Sequence, residues 1–201
     1  MQSPSRFRRI LRCTIPVSIA VAVLLVSFGW FERVRNEQEE YKVYSAYLSE
    51  GLLNDAHDWS VGGPIQVVIA DRTISGGNLR FRWFSLFDRR VDFDELRTST
   101  RASYLARNLF RTRIEPKFSL PTRATACITS ASEYGSPAFQ EKFPRNMGLV
   151  TLSGVGFSLS RTQAVFFINH FCGLCGGGRY VLMEKVNAAW RVREEHYTWI
   201  S

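Results

Sequence analysis

With 201 residues, 45% of them hydrophobic and 22% charged, the chain has the composition of one globular domain plus a targeting segment. The formal charge of +8 raises nucleic acid as a partner, but half of it sits in Arg6, Arg8, Arg9 and Arg12, ahead of the first acid, Glu32. The excess over the rest of the chain is mild, so no nucleic-acid partner is expected.

Cys13 to Phe31 carries no charged residue. Nineteen helical residues span roughly 28 Å, close to the thickness of the bilayer hydrocarbon. Four arginines precede this run, whereas Arg33 and Arg35 after it are mixed with Glu32, Glu37, Glu39 and Glu40. That asymmetry keeps the N-terminus in the cytoplasm and sends the remainder across. The expected organisation is a basic cytoplasmic N-terminus over 1–12, a transmembrane anchor over 13–31 and an extracytoplasmic domain over 32–201. The alternative is a signal peptide cleaved after Ser27-Phe28-Gly29, with Trp30 an awkward first residue.

From Glu32 to Leu53, Val34, Tyr41, Tyr44, Leu48 and Leu52 recur at helical spacing, which predicts a helix with its tyrosine stripe in the core. Ile65–Ala70 reads as a central strand and Leu79–Trp83 as a strand with one wet face. Asp92 and Glu95 resemble an acidic capping box and predict a helix over 93–109. A strand over 123–129 follows, then a short helix opened by Ser136-Pro137 and closed by Pro144. Strands are predicted over 149–157, 163–171, 179–186 and 190–199, with Asn187-Ala188 as a hairpin turn. Helices early and strands late indicate an α+β class: an N-terminal membrane helix, then helices packed on a mainly antiparallel sheet that ends in a C-terminal β-meander.

The chemistry-bearing residues cluster in His170-Phe171-Cys172-Gly173-Leu174-Cys175, followed by Gly176-Gly177-Gly178. Three consecutive glycines call for positive φ or a close approach by other atoms. Cys172 and Cys175 lack the following helix that activates a redox Cys-x-x-Cys pair, so a structural disulfide in an oxidising compartment is expected. The residues also admit a zinc set of Cys127, His170, Cys172 and Cys175, for which a second cysteine pair is missing. Cys-His catalysis would need His57, His170 or His196 beside a thiol, with Asp58 or Glu195 as orienter. Arg80 and Arg82, interleaved with Phe81 and Trp83, superficially resemble a single-strand nucleic-acid platform, and an amphipathic edge strand explains them more plainly.

The run from Gly148-Leu149-Val150-Thr151-Leu152 through Gly173-Leu174-Cys175-Gly176, Tyr180-Val181-Leu182-x-Glu184-Lys185 and Trp199-Ile200-Ser201 resembles a group of uncharacterised exported bacterial proteins. The resemblance implies an exported bacterial domain and names no catalytic residues. Members of that group carry Cys-Gly-Gly-Leu-Cys, one residue wider than the spacing here.

The functional expectation is a single-pass protein of the cytoplasmic membrane, anchored by its N-terminal helix. It would act as a non-catalytic binding or assembly module of the cell envelope, with a possible envelope protein partner and no cofactor. A thiol- or zinc-dependent enzyme using Cys172 or Cys175 is the alternative.

Overall fold

The computed structural model describes residues 36–54, 63–74, 93–173 and 175–201. The apolar run 13–31, His57, Asp58, the Leu79–Trp83 strand with Arg80 and Arg82, Asp92 and Leu174 lie outside the described residues. The chain divides into Met1–Glu39 and a compact unit, Glu40–Ser201, and the sheet lies wholly in the second. Among the described residues no helix is long and apolar enough to cross a membrane.

Residues 36–47 are helical (α1), and the helix widens into a π-helical segment over Leu48–Leu52. Then come β1 (Ile65–Ala70), α2 (Thr98–Arg107), β2 (Ala124–Thr129), α3 (Pro137–Lys142), β3 (Asn146–Leu152), β4 (Gly156–Phe157), β5 (Gln163–Phe171), β6 (Gly177–Val186) and β7 (Ala189–Ile200). All seven strands among the described residues join one sheet in the order β2-β1-β3-β5-β6-β7, with β4 alongside β5. β1 runs parallel to both β2 and β3. The pairs β3–β5, β5–β6 and β6–β7 are antiparallel.

This overturns the expected class of helices packed on a mainly antiparallel sheet. The sheet is mixed and dominates the unit, and helices are few among the described residues. The reason lies in β1. Its residues are buried on both faces: Val67 and Ile69 face the α1 side, while Val68 and Ala70 face α3. A strand covered on both sides suits parallel neighbours reached by crossovers.

α1 covers one face of the sheet. Tyr44 and Tyr47 are fully buried and set their rings edge-on to Phe166 of β5, at centroid distances of 5.5 and 5.3 Å. On the opposite face Phe139 of α3 and Phe143, just past its end, pack on Val68, Ala70 and Leu149. Further along that face, Tyr104 of α2 and Phe93, ahead of that helix, pack on Val165 and Leu182.

α2 begins at Thr98 rather than at 93. Its cap is supplied from another strand: the buried Gln163 Oε1 accepts from the Arg97 backbone N–H (2.9 Å) and from the Thr100 hydroxyl (2.9 Å). The acidic pair Asp94-Glu95 forms a turn instead, closed by Leu96 N–H to the Phe93 carbonyl. Ser136 caps α3, its hydroxyl accepting from Phe139 N–H with Pro137 in the first turn.

The β6–β7 turn has both central residues in the left-handed region, Asn187 at φ 49° and Ala188 at φ 65°. That is the backbone of a type I′ hairpin. Asparagine tolerates the region, but a Cβ at the second position costs about 1–2 kcal/mol, against about 0.5–1 kcal/mol of extra chain entropy for glycine. Ala188→Gly should therefore stabilise the domain by about 0.5–1 kcal/mol. Urea unfolding checks this, and an unchanged or lowered midpoint would refute the strained turn.

Candidate functional site

β5 ends at Phe171 and β6 begins at Gly177, so Cys172–Gly176 is the turn between two antiparallel strands. Gly173 takes φ 78°, a conformation that favours glycine. The Cys172 and Cys175 sulfurs lie at disulfide distance, 2.13 Å, with Cα atoms 5.3 Å apart. A strand follows the pair, so no helix N-terminus is present to lower a thiol pKa.

The turn is held from three sides. Gly173 N–H donates to the Tyr134 hydroxyl (3.3 Å) and Gly176 N–H to the Ser201 hydroxyl (2.9 Å), while Ser201 N–H returns to the Gly176 carbonyl (2.9 Å). Trp199 of β7 packs on Phe171 at 5.7 Å and donates its indole N–H to Asn169 Oδ1 (3.0 Å). Asn169 in turn donates to Thr151 Oγ1 (3.2 Å). The glycine run serves this close packing: a Cβ on Gly178 would stand 2.1 Å from Trp199 Nε1 and 2.5 Å from Asn169 Oδ1.

The zinc set is not assembled. Cys127, Val68, Leu149 and Phe171 stand in one register row across β2, β1, β3 and β5. Cys127 is thus three strand spacings, about 14 Å, from the end of β5. It is a half-buried, free thiol packed near Val68 and Phe139, and burial pushes its pKa up. His170 alternates to the opposite face, in the row of Val150 and Ile69. Among the described residues no three His, Cys, Asp or Glu side chains converge as a ligand group. His196 meets the ring of Phe93 at 6.4 Å, and Glu195 accepts from Tyr47 and pairs with Arg179, so neither serves a thiol.

A second site was not visible in the sequence. At the carboxyl ends of the parallel strands β1 and β2 lies an open crevice of about 570 Å³. Asp71, Thr129 and Ser130 end the strands there, Arg113 to Pro116 form one wall, and Glu133 and Lys142 form the other. The backbone fixes this junction through Asp71 N–H to the Thr129 carbonyl (2.7 Å) and Ile114 N–H to the Asp71 carbonyl (2.8 Å). Lys142 Nζ reaches Glu133 Oε2 at 3.1 Å and Thr129 Oγ1 at 3.4 Å. Hydrogen bonds from Thr129 and then Lys142 hold the Glu133 carboxyl below its ordinary pKa. A hydrogen bond from Lys117 does the same for Glu115, with the Arg113 charge adding to it. Both signs of charge therefore meet at a position where parallel sheets commonly bind ligands. The lining comes from five separate stretches of chain, so no local spacing announced it.

The chain matches no known family, and comparisons with curated proteins and with solved structures likewise gave no match. The reading of the crevice therefore rests on its geometry.

His170 supplies a pH test. Its Nε2 lies 2.6 Å from the Met147 carbonyl, which can only accept, so Nε2 carries a proton and donates it. Burial pulls its pKa below the ordinary value, and Arg179 adds to that, while the Met147 bond opposes it. The unfolded chain then binds a proton at His170 more readily than the folded one, so this contribution is present above about pH 6.5 and is lost as pH falls. The urea midpoint should drop between pH 7 and pH 5, and His170→Gln should flatten that drop. An identical slope in the variant would refute it.

Proposed function

We propose that the protein is a membrane-anchored, extracytoplasmic binding module of the bacterial cell envelope, acting without covalent chemistry. The crevice between Asp71, Arg113 and Lys142 is its ligand site. The crevice carries this reading: an open space of about 570 Å³ at the carboxyl ends of two parallel strands, lined by cations and carboxylates together. Such a lining suits a small zwitterion of amino-acid or short-peptide type, its carboxylate toward Arg113 and Lys142 and its ammonium toward Asp71 and Glu133. A binding role is also supported by the state of the other reactive groups. The two cysteines of the turn are spent on each other, and the His170 ring is spent on Met147.

The apolar run 13–31 behind four arginines supports the anchor and its orientation. The resemblance of the C-terminal third to exported bacterial proteins agrees with it. An envelope protein is the class of partner to which such a module would pass its ligand state.

The test is calorimetric titration of the full chain in nanodiscs with free amino acids and dipeptides, followed by chromatography of the ligand after incubation. The expected result is saturable binding that Asp71→Asn and Lys142→Ala each weaken at least tenfold, with the ligand recovered unchanged. Conversion of the ligand, or binding indifferent to both substitutions, would overturn the reading.

A further inference from the structure

The charges of the crevice are sorted by the two faces of the sheet. Ile69 faces α1 and Ala70 faces α3, and the alternation runs on past the end of β1. Arg72 bridges Arg113 in antiparallel register, and the flanking Thr73 and Thr112 hydroxyls stand 3.2 Å apart. That register sets Asp71 opposite Ile114, whose side chain belongs to the α1-side core. Residues directly opposite each other in an antiparallel pair share a face. Asp71 therefore faces the α1 side, whereas Arg72 and Arg113 face the α3 side. Lys142 lies on the α3 side too, against Thr129 (3.4 Å), which stands in register with Ala70.

The same groups differ in how far they are already engaged. Lys142 and Glu133 hold each other at 3.1 Å. Among the described residues the Asp71 carboxylate makes no hydrogen bond or ion pair, and neither do the Arg72 and Arg113 guanidiniums. Like charges directly opposite in a strand pair repel, and an anion shared by two arginines relieves that repulsion. One face thus offers an open carboxylate, and the other offers a cation pair suited to a carboxylate.

Distance then selects the ligand. At the carboxyl ends of β1 and β2 the two faces open into one crevice of about 570 Å³. A sheet with its side chains is a layer about 10 Å thick, whereas a single residue spans only about 3.5 Å. A free α-amino acid can therefore satisfy one face and leaves the other unmet. Two or three extended residues reach about 7–10 Å.

We propose that the ligand of the crevice is a di- or tripeptide lying across the strand ends. Its N-terminal ammonium meets Asp71, and its C-terminal carboxylate sits between Arg72 and Arg113. The inference rests on the crevice reading above and narrows it from small zwitterions to peptides with both ends free.

The test is calorimetric titration of the full chain in nanodiscs with alanine, dialanine, trialanine, N-acetyl-dialanine and dialanine amide. Dialanine or trialanine should bind at least tenfold tighter than alanine. N-acetylation should weaken dialanine at least tenfold in the parent and have little further effect in Asp71→Asn. Amidation should behave in the same way with Arg113→Gln. Neither substitution removes a backbone bond of the junction, since Asp71 and Ile114 hold it through main-chain atoms. Alanine binding as tightly as the peptides would overturn the inference, and so would an acetylation penalty undiminished in Asp71→Asn. Those results leave the crevice as a zwitterion site, whereas no binding of any of the five ligands defeats the crevice reading itself.

Discussion

One buried carboxylate holds the start of the unit to its sheet. Glu40 is 4% exposed, and taking its charge out of water costs several kcal/mol unless donors replace the lost hydration. Val155 N–H and the Tyr44 hydroxyl meet Oε1 at 2.9 and 2.8 Å, and Arg107 Nη2 meets Oε2 at 2.7 Å. Asn108 extends the same knot, its amide bridging the Tyr104 carbonyl, Gly154 N–H and the Gly154 carbonyl. Three segments with no sequence proximity, α1, the end of α2 and the bend between β3 and β4, are thereby locked together. Burial raises the Tyr44 pKa strongly and the Glu40 charge adds to it, so the hydroxyl stays protonated and remains a donor.

That lock fixes one end of the sheet, at the bend between β3 and β4. The carboxyl ends of β1 and β2 open into the charged crevice a short way from Glu40, because Tyr41 holds Glu115 and the Thr73–Thr112 pair closes the loop against β1. The opposite end is closed by backbone bonds, by the disulfide turn and by Trp199 lying over Gly178. One end offers charge and space, and the other offers rigidity. The proposed binding role draws on that division, and Cys172 and Cys175 are held in their disulfide.

Much of the local structure was legible because it follows local rules. The nearly all-apolar run Ile65–Ala70 became a central strand, Ser136-Pro137 opened α3, and Asn187-Ala188 turned the hairpin. The strand Gln163–Phe171 lies where the residue pattern put it. What failed was non-local. Asp92 and Glu95 resembled a cap, but Gln163, far along the chain, caps α2. No residue pattern declared that β1 would sit between β2 and β3, and that order alone decides that Cys127 stands far from Cys172. The glycine run called for positive φ or close approach. Close approach by Trp199 explains Gly178, and among the described residues of the turn Gly173 has the positive φ. The crevice had no local trace, since Asp71, Arg113, Thr129 and Lys142 become neighbours only once the parallel pair has formed.

The measurement that tests this account most directly is a double-mutant cycle on the Glu40–Arg107 pair. Unfolding free energies of the parent, Glu40→Ala, Arg107→Ala and the double variant would be compared in urea at neutral pH. Glu40→Ala should cost about 3–5 kcal/mol, because it strands Val155 N–H and takes the carboxylate away from Arg107, while the Tyr44 hydroxyl keeps the Ser153 carbonyl as an acceptor (2.6 Å). The coupling between the two residues should exceed about 1 kcal/mol. Additive losses, or a Glu40→Ala variant as stable as the parent, would show that the buried carboxylate does not hold the fold together.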